Sequence, residues 1–343
     1  MKAQKFPARC CLLFLLLALL AVPAEAAQIG GGGAGWQLPG IGTAVTFSPD
    51  GQMVLAGDQL RRATDGQLIR TFPLRHANGS QVNTAAFSPD GQYVAIGVQT
   101  FNLNLDFFRV SDGFRTVPTE AHNNGTTTAQ FSPDGQLVAT GGRDGTVKLW
   151  HVPDFTLVNT FLGGAGYSAR VFAVVFSTDG QYLAVGGQGG LVILRTATGE
   201  VVRTLADGSE TVQSLSLTAD GTTLAAGFFT SQQPGVFNVK LWRFSDGVLL
   251  KTIPASDQPI NSVAFQPDAQ VIAAGGGDNA ASGVVRFFRV KDSFQLGSFP
   301  QDPNNGYSYI TSLAYSPNGQ LIAYSRADSF VVVTRNPFIG NRR

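Results

Sequence analysis

A six-residue sequence, Phe-Ser-Pro-Asp-Gly-Gln, recurs along the chain and constrains its fold more than any other feature. It occurs unchanged at Phe47, Phe87 and Phe131, and with substitutions at positions starting from Phe176, Leu217, Phe265 and Tyr315. The spacings between successive copies are 40, 44, 45, 41, 48 and 50 residues. Periods of this length are typical of β-propellers and of solenoids.

Each repeat predicts four short antiparallel strands. Ser-Pro-Asp-Gly is a turn, since proline presets φ at the first central position and glycine accepts a positive φ. Apolar residues alternate before the turn, as in Ser262-Val263-Ala264-Phe265, with the period of a half-buried strand. A third strand follows, such as residues 147–150, and then a fourth, such as residues 201–205. The chain is therefore predicted to be an all-β, seven-bladed propeller of four-stranded antiparallel blades.

The two ends of the chain predict how this ring closes. The last repeat has a third strand at residues 330–333 but no fourth, whereas Gly-Trp-Gln-Leu at residues 35–38 precedes the first repeat. We expect residues 35–338 to form one propeller whose N-terminal strand pairs with the last blade, which removes an open edge. Residues 27–34 are then a flexible lead and residues 339–343 a C-terminal tail.

The first 26 residues have the pattern of a secretory signal peptide. Lys2, Lys5 and Arg9 precede an apolar run from Cys10 to Val22, and Ala24-Glu25-Ala26 follows it. This run is shorter than the roughly 20 residues that span a bilayer, so we expect cleavage after residue 26. A retained signal anchor is the alternative. The prediction is a secreted or periplasmic protein with no transmembrane span after cleavage.

Composition excludes several classes of function for the mature chain. Both cysteines of the sequence lie in residues 1–26, so residues 27–343 can form no disulfide. The same residues have 21 Lys and Arg against 22 Asp and Glu, which is not the basic excess of a nucleic-acid-binding protein. Neither a His/Cys cluster with metal-ligand spacing nor a glycine-rich loop opening a helix is found. We expect no cofactor, no metal and a monomer.

The residues from His122 to Phe161 resemble a repeat of the WD-repeat family of β-propellers, and the resemblance covers roughly residues 35–335. In that family a His, a Ser or Thr, an Asp and a Trp form a hydrogen-bonded structural tetrad, which this resemblance assigns to His122, Thr140, Asp144 and Trp150. The Trp-Asp pair that names the family is absent, which marks a divergent member. Elsewhere the Trp position is assigned to Trp242, Phe108, Phe288, Arg195, Arg61 and Thr334. A second type of propeller with Ser-Pro-Asp-Gly repeats, found in periplasmic translocation proteins, is the alternative relative.

Catalytic interpretations of these residues are weak. Thr140, His122 and Asp144 could in principle form a hydrolase triad, but the hydroxyl lies within a strand and no nucleophile elbow is present. The carboxylates of Asp144, Asp278 and Asp328 occupy similar turns and could instead hold a cation. We expect no catalytic residue and regard the tetrad as structural.

Function is therefore expected on one rim of the disc. Loops between second and third strands, and between successive blades, open on the same rim and vary in length. Aromatic and Arg side chains are typical of interface hot spots. The predicted binding residues on this rim are Arg75, Phe101, Arg143, Tyr167, Arg170, Phe228, Phe229, Tyr307, Tyr309 and Arg326.

These observations predict a non-catalytic scaffold that binds a protein or peptide partner through the rim. Two alternatives remain open. One is a propeller that uses its axial channel as an enzyme or cofactor binder, and the other is a propeller that binds glycan or cell-wall material.

Overall fold

The computed structural model describes residues 27–28, 35–39, 43–74, 81–100, 104–116, 121–163, 169–229, 237–277, 283–299, 308–328 and 330–339. The predicted signal segment, residues 1–26, lies outside these ranges. The described residues contain strands and turns but no helix. Among them, therefore, no helix exists that could cross a membrane.

The strands form seven antiparallel sheets, here called blades 1 to 7. Two strands precede blade 1, namely β1 (Ala27–Gln28) and β2 (Trp36–Leu38). Blade 1 contains β3 (Val45–Phe47), β4 (Met53–Ala56), β5 (Gln59–Arg62) and β6 (Leu68–Thr71). Blade 2 contains β7 (Val82–Phe87), β8 (Tyr93–Val98) and β9 (Leu105–Arg109). Blade 3 contains β10 (Thr126–Phe131), β11 (Leu137–Gly142), β12 (Thr146–His151) and β13 (Leu157–Leu162).

The remaining blades repeat this order. Blade 4 contains β14 (Val171–Phe176), β15 (Tyr182–Gly187), β16 (Gly190–Arg195) and β17 (Val201–Ala206). Blade 5 contains β18 (Thr211–Leu217), β19 (Thr223–Phe229), β20 (Phe237–Arg243) and β21 (Leu249–Ser256). Blade 6 contains β22 (Ile260–Phe265), β23 (Val271–Gly276), β24 (Val285–Arg289) and β25 (Gln295–Phe299). Blade 7 contains β26 (Ile310–Tyr315), β27 (Leu321–Arg326) and β28 (Val331–Arg335).

The ring closes as the sequence predicts. Strand β2 pairs with β28 in the register Trp36↔Val333, Gln37↔Val332 and Leu38↔Val331. The first strands of successive blades contact one another around the whole ring, including β26 with β3. The seven-bladed propeller fold, with an N-terminal strand completing the last blade, is thus confirmed.

Two details differ from the expected regularity. Ala27 and Gln28, placed in the flexible lead by the sequence, form a short strand paired with β2, because their main chain lies along its free edge. In blade 2, the described part of the fourth-strand position is only a bridge between Phe108 and Arg115. Thr116 continues this contact by donating its N–H to the carbonyl of Phe107 at 2.9 Å.

The hydrophobic core is divided among the seams between blades. Buried apolar side chains form seven clusters, and each contains residues of two neighbouring blades. A blade is too thin to bury both of its faces, so each face is covered by the next blade. Closure of the ring is what covers the outer faces of blades 1 and 7.

The Ser-Pro-Asp-Gly turns form one rim of the disc, here called the hairpin rim. In blade 3, Ser132 Oγ donates to Asp134 Oδ1 at 2.6 Å and accepts the N–H of Leu137 at 2.9 Å. Gly135 has a φ of 71°, a value that favours glycine. The Pro and Gly of adjacent turns face each other, and a Cβ added to Gly135 would lie 3.7 Å from Pro89 Cδ.

A ring of side-chain hydrogen bonds joins the first strands around the axis. At five seams, the residue four before the end of the first strand donates to a main-chain carbonyl of the next blade. The pairs are Thr43 Oγ1 to Val82 O (2.6 Å), Asn83 Nδ2 to Thr126 O (3.1 Å), Thr127 Oγ1 to Val171 O (2.6 Å), Asn261 Nδ2 to Ile310 O (3.0 Å) and Thr311 Oγ1 to Thr43 O (2.9 Å). These polar side chains therefore hold the ring together.

Candidate functional site

The four tetrad residues are brought together in blade 3. The indole N–H of Trp150 donates to Thr140 Oγ1 at 2.9 Å. Thr140 Oγ1 also lies 2.9 Å from His122 Nε2, and His122 Nδ1 lies 3.0 Å from Asp144 Oδ1. Because Thr140 accepts from the indole, its hydroxyl is free to donate to His122 Nε2. His122 Nδ1 then carries the proton that is donated to Asp144.

Burial and partners set the charge states of this group. Burial lowers the pKa of His122, and the hydrogen bond with Asp144 offsets only part of that effect. Burial raises the pKa of Asp144, but hydrogen bonds from His122 and Thr146 outweigh it and lower the pKa overall. The arrangement is a neutral imidazole that orients a carboxylate.

The geometry of this Thr-His-Asp set differs from that of a catalytic triad. The Thr140 side chain is fully buried at 0 % exposure, and its oxygen is already occupied by Trp150 and His122. A nucleophile needs access to a substrate carbonyl, which this hydroxyl does not have. The set fastens β12 to β11 and to the loop before β10.

The Trp position differs among the other blades. In blade 3, Trp150 on the third strand pairs with Val138 on the second. The residues at the equivalent third-strand position are Trp242 in blade 5, Phe108 in blade 2, Phe288 in blade 6, Arg61 in blade 1 and Thr334 in blade 7. In blade 4 it is Leu194, paired with Leu183, and not Arg195 as the sequence suggested. Leu194 is fully buried and Arg195 exposed. The strand alternation decides which of the two neighbours faces the core.

The opposite face of the disc from the hairpin rim is here called the variable rim. Its loops join second to third strands and one blade to the next. Of the ten binding residues predicted there, Arg75, Phe101, Tyr167 and Tyr307 lie outside the described residues. The other six can be placed.

Phe228 does not belong to the rim, and this prediction was wrong. Its side chain is 1 % exposed and packs in the cluster between blades 4 and 5, 6.0 Å from the ring of Trp242. The reason is that β19 continues through Phe229, so Phe228 remains a core position of the strand. Phe229 is half-buried and packs against the next seam, 6.4 Å from Phe237.

Two further predicted residues are engaged within the rim. Arg326 forms an ion pair with Asp328, and its guanidinium lies 5.0 Å from the ring centre of Phe330. Tyr309 is half-buried, and its main-chain carbonyl accepts the N–H of Ala327 at 2.9 Å. Both residues therefore take part in the structure of blade 7.

Arg143 and Arg170 have a different environment, because both line a cavity on the variable rim. The cavity has a volume of about 310 Å³, and its other lining residues within the described ranges are Gln99, Thr100 and Asn124. These residues come from blade 2, from the loop entering blade 3, from the β11–β12 turn and from the loop entering blade 4. Loops of three consecutive blades thus meet at one opening.

Local chain geometry positions the floor of this cavity. Asn124 and Gly125 both have positive φ values, 65° and 110°, and Asn and Gly tolerate this conformation best. A Cβ on Gly125 would approach Gln99 Cα to 3.2 Å, so glycine allows the two loops to touch. The sequence pointed to Arg143 and Arg170 but missed Gln99, Thr100 and Asn124. The Asn-Gly turn was the one available clue to this convergence.

Within the described ranges, no group of three or more His, Cys, Asp or Glu side chains is arranged to hold a metal ion. Of the three Asp residues considered for a cation, Asp144 pairs with His122 and Asp328 with Arg326. Asp278 lies outside the described residues.

The fold defines this chain as a seven-bladed β-propeller, and blade 3 contains a hydrogen-bonded His-Thr-Asp-Trp tetrad. The family described as "WD domain, G-beta repeat" matches it at residues 66–100, 115–151, 155–194 and 247–282. Each match crosses a seam, and residues 66–100, for example, run from β6 to β8. These matches assign four repeats of the chain to the WD-repeat family.

A curated relative supports this assignment. The chain is similar to the protein named "Periodic tryptophan protein 2 homolog" from Caenorhabditis elegans, with 25% identity over 264 residues. The similarity covers 72% of this chain but only 27% of that protein.

Proposed function

We propose that this protein is a non-catalytic WD-repeat scaffold that binds a protein or peptide partner through its variable rim. The observation that carries the proposal is the cavity at which loops of blades 2, 3 and 4 converge. A peptide side chain fits a volume of about 310 Å³, and propellers of this family commonly bind proteins.

The two rims differ in a way that supports this assignment. The hairpin rim repeats one compact turn, in which the polar groups of Ser132 and Asp134 bond to their own backbone. The loops of the variable rim differ from blade to blade in length and composition. Specific recognition requires a surface whose parts differ, so the variable rim is the better candidate.

The axial strands favour a structural over a catalytic use of the channel. Thr and Asn side chains of the first strands donate to carbonyls of the next blade at five seams. Side chains held in this way stiffen the ring. The N-terminal signal pattern of residues 1–26 supports a secreted or periplasmic location for the scaffold.

Blocking one rim at a time tests the proposal. Residues 27–343 contain no cysteine, so a single introduced cysteine can be coupled to a maleimide polyethylene glycol. Gln99→Cys places the polymer at the cavity, and Ala197→Cys places it on the exposed β16–β17 turn of the hairpin rim. Peptides selected from a random 12-residue display library on the unmodified protein provide the probe.

We expect polymer at Gln99→Cys to weaken binding of the selected peptides at least tenfold and polymer at Ala197→Cys to leave it unchanged. Selection of no peptide above background would contradict the proposal. Equal binding to both blocked proteins would contradict it as well.

A further inference from the structure

The cavity on the variable rim carries two positive charges that the described residues leave unneutralised. Arg143 and Arg170 both line it, and Arg143 is close enough to Arg170 for the second charge to lower its pKa, in addition to the larger effect of burial. Neither guanidinium forms an ion pair with a carboxylate of the described residues. Two like charges at one opening favour an anion between or above them.

Several other arginines of the described residues are paired with an acid of the chain. In the turns between third and fourth strands, an Arg pairs with the Asp three residues later. The pairs are Arg62 with Asp65, Arg109 with Asp112, Arg243 with Asp246, and Arg289 with Asp292. These are exposed pairs in which the chain supplies its own anion. In the cavity, an external anion would have to neutralise the guanidinium groups.

The carboxylate nearest to Arg143 in the sequence, that of Asp144, does not form an ion pair with it. Asp144 follows Arg143 directly, but its Oδ1 accepts from His122 and Thr146. Its Oδ2 accepts the main-chain N–H of Asn123 at 2.9 Å. Both carboxylate oxygens of Asp144 are thus hydrogen-bonded within the tetrad region, and Asp144 forms no ion pair with Arg143.

Arg143 also has a buried donor without a partner. Its Nε is buried and makes no hydrogen bond within the described part of the chain, and such a group is costly to leave unpaired. Its main-chain N–H donates to Gly125 O at 3.3 Å, which holds the residue beside the cavity. An oxyanion in the cavity would balance the charge of this guanidinium.

Arg170 is held in place by its main chain while its side chain is exposed. Its N–H donates to Gln188 Oε1 at 3.3 Å, and its carbonyl accepts the N–H of Gln188 at 2.9 Å. The other lining residues in the described part of the chain, Gln99, Thr100 and Asn124, are neutral. A polar lining with two guanidinium groups is suited to a carboxylate or phosphate group.

We propose that Arg143 and Arg170 form an oxyanion-binding subsite, which receives the carboxylate of an acidic residue or the phosphate of a phosphorylated residue in a bound peptide. The peptide origin of the anion rests on the proposed function. Binding of the oxyanion itself does not, and the two can be tested separately.

The subsite is tested with small anions alone. Inorganic phosphate and N-acetyl-glutamate amide are titrated at constant ionic strength into isotopically labelled protein, and the Arg Nε–Hε resonances are followed by NMR. We expect a saturable shift at Arg143, weakened at least tenfold in Arg170→Gln. Arg335→Gln removes the same charge from an exposed site on the opposite rim and should change nothing. A shift that does not saturate, or that Arg170→Gln leaves intact, would overturn the subsite.

The peptide arm separates this proposal from the previous one. Peptides selected on the protein should be enriched in Asp and Glu, and replacing each acid by its amide should weaken binding as much as Arg143→Gln does. Replacing the acid by phosphoserine distinguishes a carboxylate from a phosphate as the preferred group. Peptides that bind the rim without acid enrichment would refute the subsite while leaving the proposed function intact.

Discussion

The indole N–H of Trp36 donates a hydrogen bond of 2.9 Å to the main-chain carbonyl of Ala63. Trp36 belongs to the strand that completes blade 7, and Ala63 follows the third strand of blade 1. Trp36 is 1 % exposed and packs among apolar residues of both blades. One side chain near the start of the propeller thus joins the last blade to the first.

Deleting residues 27–40 should therefore prevent stable closure, because blade 7 loses β2 and the seam with blade 1 loses Trp36. Deleting only residues 27–34 retains β2 and is the matched control. Thermal unfolding followed by circular dichroism compares the two. Equal melting temperatures for both truncations would show that β2 does not close the ring.

A single substitution separates the hydrogen bond from the packing. Trp36→Phe keeps an aromatic ring but leaves the buried carbonyl of Ala63 without its donor, so we expect a loss of about 1–3 kcal/mol in the free energy of unfolding. Phe114→Ala, at a side chain 61 % exposed in blade 2, should change it by only about 0.5 kcal/mol. Urea unfolding of both variants provides the measurement.

Trp150 anchors the tetrad, and its truncation should be among the most damaging changes. Trp150 is 3 % exposed, and Trp150→Ala leaves a cavity and removes the donor to Thr140, so the expected loss is roughly 3–5 kcal/mol. A change within about 0.5 kcal/mol, typical of an uninvolved surface site, would contradict the burial and hydrogen bonding described here. Urea unfolding of the purified variant measures this loss in the free energy of unfolding.

The buried His122 should make the protein sensitive to acid. Burial lowers its folded pKa below the ordinary value of 6.5, so the unfolded chain binds more protons. The free energy of unfolding therefore decreases as the pH falls below about 6.5. Asp144, whose folded pKa is lowered from 3.8, adds a loss in the same direction at lower pH.

The contribution of His122 can be isolated by comparing the two described histidines. His122→Gln should flatten the dependence of melting temperature on pH between about 6.5 and 5. His151→Gln, at a side chain 48 % exposed, should retain the slope of the parent protein. Parallel slopes for the parent and His122→Gln would exclude His122 as the source.

The hairpin turns offer a reciprocal test of backbone strain. Gly135 has a φ of 71° in blade 3, whereas the corresponding residue in blade 6, Ala269, has a φ of 57°. Since an L-residue in this region is destabilised by about 1–2 kcal/mol, Ala269→Gly should stabilise the protein and Gly135→Ala destabilise it. An added Cβ at Gly135 meets only ordinary contacts, so backbone conformation accounts for the effect. Shifts of the same sign in both variants would refute this explanation.

Much of the site could be predicted where the residues act locally or through a repeated pattern. His122, Thr140, Asp144 and Trp150 occupy repeat positions, and the structure places them within hydrogen-bonding distance. Phe228 could not be placed from the sequence, because its exposure depends on where β19 ends and on Trp242 in the neighbouring strand. Arg326 ends a second strand, Arg143 follows one, and each lies near an Asp in the sequence. In the structure, Arg326 pairs with Asp328, whereas Asp144, next to Arg143, pairs with His122.

The number of blades, the turn chemistry and the strand that closes the ring could all be predicted from the amino-acid sequence, because they follow from short-range patterns repeated along the chain. The exposure of the rim residues, the arginines without a counter-charge and the loops that meet at the cavity became known only from the folded structure. Those properties depend on side chains brought in from neighbouring blades, 40 to 50 residues away along the chain. A local sequence pattern therefore cannot predict these properties.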